Sequence, residues 1–533
     1  MAPYSTLTKN QIRDRIRGCL LGNAVGDAYG LATEFMSKKS AREIYGNGPI
    51  QFGTETEGYP VWLDMHRYKW SRNDFTDDTD QLLLILQSLE QTRDGKLHPA
   101  NFAQRLKEWS IIGFPEMGTP PRGIGFTVGS TLTHPAFRFN PHKAAFDIWN
   151  SKGRTLAANG AVMRTSVLGI ESFWDEHRVV LNALGAAKVT HADPRSIISA
   201  LISSVLISRL LRGGGQGAEE DAARDWNSHL GTEAYEQELL DYLERGTDIK
   251  GEASSEPVYE ETGENMYVHK DDRAIKKARA EEAEKAAKAA RSGGSGILGS
   301  IKKAFSALME PYKETDPDNW NIGRPVVKLR EDIGWAGIDS VGEDKAVTAL
   351  ARSVIADYKF LLLKTDVVPP TIKKISPAPL KSETTGEEEE EHKTQEPVKS
   401  IQQKWADELE SHCFPATLQE LELGDGDKMG YTFKCIGIGY YGVTREVDPS
   451  PTVRPQYEGP QGLFRGVMEQ LTLEAGDADT NGAVVGSLLG ARFGLENGIP
   501  HAWWSSLRHL EWLDTVIDQF TDRVIAAYEK EEV

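Results

Sequence analysis

GCLLGNAVGDAYG (Gly18–Gly30) and GAVVGSLLGARFG (Gly482–Gly494) carry the same device near opposite ends of the chain. A glycine recurs at every fourth position: Gly18, Gly22, Gly26 and Gly30 in the first, Gly482, Gly486, Gly490 and Gly494 in the second. On a helix this spacing aligns the glycines on one stripe, where the missing side chains let another backbone come close. An interior glycine costs a helix about 0.5–1 kcal/mol relative to alanine, so two bare stripes point to tight packing in return. Dimerisation inside a membrane is the rival reading, but the runs are short and contain Asp27 and Arg492. Other segments are also helical in pattern. SIISALISSVLISRLL (Ser196–Leu211) is apolar on nearly every face, as a helix inside a bundle must be, and Leu82–Leu86 extends a helix entered through Thr79. Alternating strand patterns with hairpin turns are sparse, so the chain is expected to be mainly α.

Two short acidic strings accompany the stripes, and the second runs directly into the Gly482 stripe. Thr76-Asp77-Asp78-Thr79 and Gly476-Asp477-Ala478-Asp479-Thr480-Asn481-Gly482 both lead into apolar helical runs. Carboxylates grouped with threonine hydroxyls, without His or Cys, form an all-oxygen donor set that suits Mg²⁺ or Mn²⁺ better than Zn²⁺. Helix capping explains either string alone. Several acids at both places are better explained by one shared metal site, since packed carboxylates repel unless a cation neutralises them.

The chain has 533 residues and a formal net charge of −19. With a pI near 5.2, it lacks the clustered basic charge that neutralises phosphates, so no nucleic-acid partner is expected. Cys19, Cys413 and Cys435 are too few and too widely spaced for a disulfide framework or a CxxC metal knuckle, which fits a reducing compartment. The cytoplasm is expected, with the nucleus left open. MAPYSTLTKNQIRDRIRGCLLG mixes charges with apolar residues and reads as an amphipathic helix rather than a signal peptide. No uninterrupted apolar stretch reaches the length of a bilayer span, so no membrane partner is expected.

Two shifts in composition divide the chain. A glycine cluster at Gly213–Gly215 opens a charge-rich stretch that includes an alanine-rich piece from Ala280 and SGGSG from Ser292; prolines surround the acidic run Glu387–Glu391 in the second. The expected organisation is a catalytic helical domain in parts, 1–212, 335–366 and 406–533. It is interrupted by an insertion at 213–334, partly disordered or a solvated helix, and a disordered Pro/Glu-rich linker at 367–405. The insertions are open to a protein partner.

Three more strings complete an ordered set: Gly26-Asp-Ala-Tyr-Gly-Leu-Ala-Thr-Glu34, Asn159-Gly-Ala-Val-Met-Arg164, and Thr190-His-Ala-Asp-Pro194. With the two acidic strings, they resemble the ADP-ribosylglycohydrolase family over about Ile12–Arg212 and from about Gly430 onward. The resemblance implies an all-α orthogonal helical bundle and a metal-dependent hydrolase acting on ADP-ribose and ADP-ribosylated proteins. It implies a two-metal centre, usually Mg²⁺, held by Thr76, Asp77, Asp78, Asp477, Asp479 and Thr480. It also places Glu34 beside the scissile bond and the diphosphate of ADP-ribose on Asn159, Gly160, Ala161, Val162 and Met163. His191 would face the ligand, with Gly125, Phe126 and Tyr431 as weaker matches.

Breaking a bond at an anomeric carbon requires a positioned water and a protonated leaving group. Asp78 is the candidate for a ligand that also handles a proton, and Glu34 for the carboxylate that assists leaving group or water. Because neighbouring carboxylates titrate together, the sequence does not say which is acid and which base. The alternative is a non-catalytic ADP-ribose binder or a crystallin-like structural homologue. GIGYYG (Gly437–Gly442) matches a dinucleotide fingerprint, but the next residues, Val443-Thr-Arg-Glu-Val-Asp-Pro, are no helix start, so no nicotinamide site is expected.

Overall fold

Thr8 begins the first helix with a reciprocal cap, its hydroxyl accepting from the Gln11 N–H while the Gln11 side chain accepts from the Thr8 N–H. The computed structural model describes residues 4–92, 94–244, 337–368, 399–447 and 455–531, and these belong to one compact unit. Its helices are, in order, α1 (Lys9–Gly30), α2 (Lys38–Tyr45), α3 (Asp77–Thr92), α4 (Pro99–Ile112), α5 (Phe126–Thr133), α6 (Pro141–Ser151), α7 (Glu176–Lys188), α8 (Pro194–Leu211), α9 (Ala218–Ala222) and α10 (Glu233–Glu244). Next come α11 (Lys345–Tyr358), α12 (Phe360–Lys364), α13 (Ile401–Cys413), α14 (Thr432–Val443), α15 (Gly459–Glu474), α16 (Ala478–Phe493), α17 (Leu495–Gly498), α18 (His501–Trp504) and α19 (Leu510–Glu531). Among the described residues extended pairing is confined to isolated bridges, so the chain is all-α as expected.

The two glycine stripes meet each other. A Cβ placed on Gly22 would stand 2.3 Å from the Gly486 carbonyl oxygen, one on Gly26 would stand 1.9 Å from that of Gly482, and one on Gly490 would stand 1.9 Å from that of Gly18. These are backbone atoms that cannot rotate away, so only glycine lets α1 and α16 lie this close. Two members of the pattern differ from the rest. Gly30 faces Ala478 and Asp479 rather than a glycine, and Gly494, at φ 84°, terminates α16 against Asp14.

Helix α8 is buried along its length apart from Arg195 and packs on α7, α14 and α16. Its serines do not oppose burial, because their hydroxyls return to carbonyls: Ser204 Oγ donates to Ala200 O and Thr165 O, and Ser208 Oγ to Phe173 O. One helix comes near a bilayer span in length and composition although Arg195 and Arg209 interrupt it. Pro194–Leu211 has the length and mean hydropathy, 1.4 over 18 residues, of a crossing helix, yet 94% of that window is buried inside the protein. GIGYYG lies inside the buried helix α14, where no phosphate loop can form. Cys19 and Cys435 are core residues, and so is Trp503, stacked on Tyr29 with centroids 4.6 Å apart.

The inferred insertion boundaries also shift. Residues 213–244 continue the body, with Trp226, Tyr235, Leu239, Leu240 and Leu243 buried, and α10 packing on α12. The high charge of this stretch hid a short apolar stripe at helical spacing. Likewise α13 begins at Ile401, inside the stretch read as linker, and buries Trp405. The alanine-rich piece, the serine-glycine piece and the acidic run Glu387–Glu391 lie outside the described residues.

A methyl group on the α1–α16 seam should force the helices apart. Gly22→Ala and Gly486→Ala are each expected to destabilise the protein by about 1–3 kcal/mol or more. Gly129→Ala in α5, whose Cβ would meet only Ile124 Cγ2 at 3.5 Å, is expected to be neutral or stabilising by up to ~1 kcal/mol. Urea unfolding measures all three, and equal midpoints would contradict the seam.

Candidate metal centre and ligand turn

The seam sets the positions of the acids. Asp27 lies on α1 next to Gly26; Glu34 comes in the turn after α1; Asp77 and Asp78 open α3; Asp477 and Asp479 open α16. Asp27 is wholly buried and holds the start of α3 from outside, accepting from the N–H of Thr76 at 2.9 Å and of Thr79 at 3.0 Å, and from the Thr79 hydroxyl at 2.6 Å. The turn carrying Glu34 is stitched to the second acidic loop. Phe35, at φ 59°, donates its N–H to Gly476 O at 2.7 Å, and Gly476 N–H donates to Met36 O at 3.0 Å. A left-handed conformation is costly for an aromatic residue and is a common mark of a functional turn.

One carboxylate oxygen each from Asp27, Asp78 and Asp479 lie within 4.8 Å of one another, and so do those of Glu34, Asp477 and Asp479. Asp479 belongs to both groups. Thr76 Oγ1 donates to Asp479 Oδ2 at 3.4 Å and Thr480 Oγ1 to Asp78 Oδ1 at 3.2 Å, so both hydroxyls predicted from the strings reach the cluster. Asp77 is turned differently: its Oδ2 accepts from Gln81 Nε2 at 2.6 Å, and the Gln81 carbonyl accepts from Arg164 at 2.6 Å. It therefore stands at the margin of the two oxygen groups, whereas Asp27 and Glu34, which sequence reasoning did not count as possible ligands, stand within them. Asp27 was legible as the acid following a stripe glycine; what was missing was its depth.

Burial, joined for all but Asp27 by repulsion from neighbouring carboxylates, lifts the five aspartates out of the usual carboxylate range. Asp27 is pushed up to about 7 by burial against four hydrogen bonds that work the other way. Asp477 rises to about 6 through burial and Glu34. Asp77, Asp78 and Asp479 are raised well above normal, Asp78 by burial and then Asp27, Asp77 and Asp477, and Asp479 by burial and then Glu34, Asp78, Asp477 and Asp27. No Lys or Arg is among the strongest influences on Asp78 or Asp479. Asp78 Oδ2 is also buried without a hydrogen-bond partner. Hard oxygen donors, unneutralised by protein cations and with an orphaned lone pair, fit a divalent cation.

Asn159–Arg164 is a 3₁₀ turn beside the acids. Asn159 Nδ2 donates to Asp477 Oδ2 at 2.9 Å, and its N–H donates to Gly430 O at 3.1 Å. Ala161, Val162 and Met163 are buried, and the Met163 carbonyl accepts from Asn23 of α1 at 3.1 Å. Tyr431 supports the turn by backbone pairing with Ala158. His191 is buried directly behind Gly160, whose Cβ would stand 3.3 Å from Nε2; its Nδ1 lies 2.8 Å from the Thr190 hydroxyl. Burial and Arg164 lower its pKa to about 3, so the ring is neutral. Gly125 and Phe126 start α5, with Phe126 62% exposed and Lys152 Nζ 5.3 Å from its ring centre. The loop before them touches the acids, since a Cβ on Gly123 would stand 2.4 Å from Asp77 Oδ1.

Residues 8–317 and 345–532 match the model of the family described as ADP-ribosylglycohydrolase. The chain belongs to that family. The match is wider than the motifs suggested, running through 213–317 and through the proline-rich stretch 367–405. Among curated relatives, an uncharacterised protein of Archaeoglobus fulgidus is 29% identical over 37% of this chain and 56% of its own length. An ADP-ribosylarginine hydrolase of Serratia proteamaculans is 23% identical over 40% of this chain and 51% of its own. The ADP-ribosyl-[dinitrogen reductase] glycohydrolase of Rhodospirillum rubrum is 27% identical over 42% and 67%. The chain thus spans about half to two thirds of the length of these relatives.

A raised carboxyl pKa means that the folded chain keeps protons the unfolded chain releases. The stability this contributes is complete below about pH 4 and is lost as pH rises through about 6 for Asp477 and about 7 for Asp27. A divalent cation would bind the deprotonated cluster in place of those protons. Mg²⁺ is therefore expected to raise the melting temperature little at pH 5 and by several degrees at pH 8, relative to chelator. A gain that is absent or identical at both values would contradict the assignment.

Proposed function

We propose that this protein is a metal-dependent ADP-ribosyl hydrolase that cleaves the glycosidic bond between ADP-ribose and a modified protein side chain or related conjugate. The observation that carries the reading is the convergence of Glu34 and four aspartates, Asp27, Asp78, Asp477 and Asp479, beside the Asn159–Arg164 turn in a chain of the ADP-ribosylglycohydrolase family. Asp27, Asp78 and Asp479 would hold one ion and Asp477 and Asp479 a second, with Thr76 and Thr480 in support and Glu34 beside the second ion as the carboxylate left for proton transfer. Mg²⁺, or Mn²⁺ in its place, would supply Lewis acidity toward water and ribose hydroxyls.

The protein's own groups do the rest. Asn159 to Met163 would take the diphosphate, since the first N–H groups of a helical turn have no partner within it and Gly160 adds no side chain to block approach. Binding there, away from the reacting carbon, orients the bond to be cut. His191, neutral and packed behind Gly160, keeps the turn in shape. Phe126, exposed at the start of α5, would cover the ligand from that side. Glu34 is the carboxylate at the edge of the cluster and would move the proton that the attacking water loses or the leaving group needs, with Asp78 as the second proton-handling group. The relatives named for arginine-linked and dinitrogen reductase-linked ADP-ribose make protein conjugates the first substrates to test.

A panel of arginine-linked, serine-linked and polymeric ADP-ribose conjugates, assayed with Mg²⁺ and with chelator, tests this directly. Chelator-sensitive release of ADP-ribose from at least one member is expected. Asp78→Asn and Asp479→Asn should weaken Mn²⁺ binding and lower turnover by at least ~100-fold, whereas Glu34→Gln should mainly lower the rate. ADP-ribose binding by calorimetry without turnover of any conjugate would contradict the enzymatic reading and favour a binding protein.

A further inference from the structure

The segment Asp64–Trp70 lies outside the five family motifs, yet it holds the Glu34 turn from three sides. Asp64 Oδ1 accepts from the backbone N–H of His66 at 2.9 Å and of Arg67 at 2.8 Å, which fixes the start of the 3₁₀ turn Arg67–Lys69. Arg67, 1% exposed, donates Nε to Ala32 O at 2.9 Å and Nη2 to Glu34 O, gripping the chain on both sides of Thr33. The side chain of Glu34 is met in turn by His66, whose Nε2 lies 2.6 Å from Oε2. The imidazole is held between two rings, with centroids 5.1 Å from Phe35 and 5.0 Å from Trp70.

This arrangement answers a physical difficulty. A glutamate side chain has three rotatable bonds, and nothing in its own chain fixes which way its carboxylate faces beside Asp477 and Asp479. We propose that His66 is a positioning residue for Glu34: its ring N–H donates to Oε2, holds the carboxylate in one orientation beside Asp477 and Asp479, and leaves Oε1 for the reaction. The inference rests on Glu34 acting in the proposed hydrolysis. Its energetic logic is that of groups behind a reactive centre, which fix orientation and whose loss commonly costs about 10- to 100-fold in activity. The left-handed Phe35 belongs to the same device, because that conformation brings its ring onto the imidazole.

The test uses the full chain with Mg²⁺ and the conjugate it hydrolyses best. His66→Ala is expected to lower kcat about 10- to 100-fold, with KM and Mn²⁺ affinity within about threefold of the parent. His66→Gln, which keeps an N–H donor at similar reach, should recover most of the rate. Added to Glu34→Ala, the His66→Ala change should cost nothing further, because its partner is already gone. An unchanged rate in His66→Ala, no recovery in His66→Gln, or an additive loss in the double variant would overturn the proposal. A parent protein that releases no ADP-ribose from any conjugate overturns the functional reading instead. The pairing is then judged by histidine-selective NMR: a His66 Nε2–H resonance that moves in Glu34→Ala supports it, and one that stays in place overturns it.

Discussion

Backbone-to-backbone contact between α1 and α16 is the constraint on which the candidate site depends. Gly18, Gly22 and Gly26 press on the carbonyls of Gly490, Gly486 and Gly482 and these press back in turn, so neither helix can slide or roll without a clash. Residues about 460 positions apart are thereby fixed in register. At the acidic end of the seam Gly30 packs on Ala478 and Asp479, and one turn back Gly26 packs on Gly482. Asp27 and the first turn of α16 are therefore brought together by main-chain packing rather than by any attraction between their side chains, which repel.

That distinction matters for how the acids are kept buried. Each one outside the two oxygen groups, and several within them, is tied to a neutral donor: Asp27 to the start of α3, Asp77 to Gln81, Asp477 to Asn159. Such bonds orient the carboxylates without neutralising them, so the raised pKa values persist. The same bonds join the acids to the ligand turn. Gln81 is bonded to Arg164 at the end of that turn, Arg164 donates to the Thr190 hydroxyl at 2.6 Å, and Thr190 touches His191 behind Gly160. The carboxylate cluster and the proposed diphosphate turn are thus two ends of one buried hydrogen-bonded chain, and a change at one end is expected to be felt at the other.

The glycine stripes, the apolar α8 and the acidic strings could be read from the chain because each is a local pattern with a physical period or a costly composition. Their convergence followed from electrostatics: acids at both ends make better sense together than apart. Asp27 was visible but undervalued, since sequence spacing cannot show that a residue is wholly buried. His66, Arg67 and Arg164 left no such trace. Their partners, Glu34, Ala32, Gln81 and Thr190, are set by loop paths and side-chain directions, which no periodicity encodes. The stretch after Gly213 misled for a different reason, because the charged face of α10 outweighs the few leucines it buries. Composition averages over both faces of a helix, whereas packing depends on one.

The central claim is that the seam gathers carboxylates around a divalent cation. Crystals of the full chain grown with Mn²⁺, measured at a wavelength where manganese scatters anomalously, test it most directly. The account predicts an anomalous peak in contact with oxygens of both Asp78 and Asp479. A map with no peak at the α1–α16 seam, or with manganese bound only to surface acids elsewhere, would contradict it.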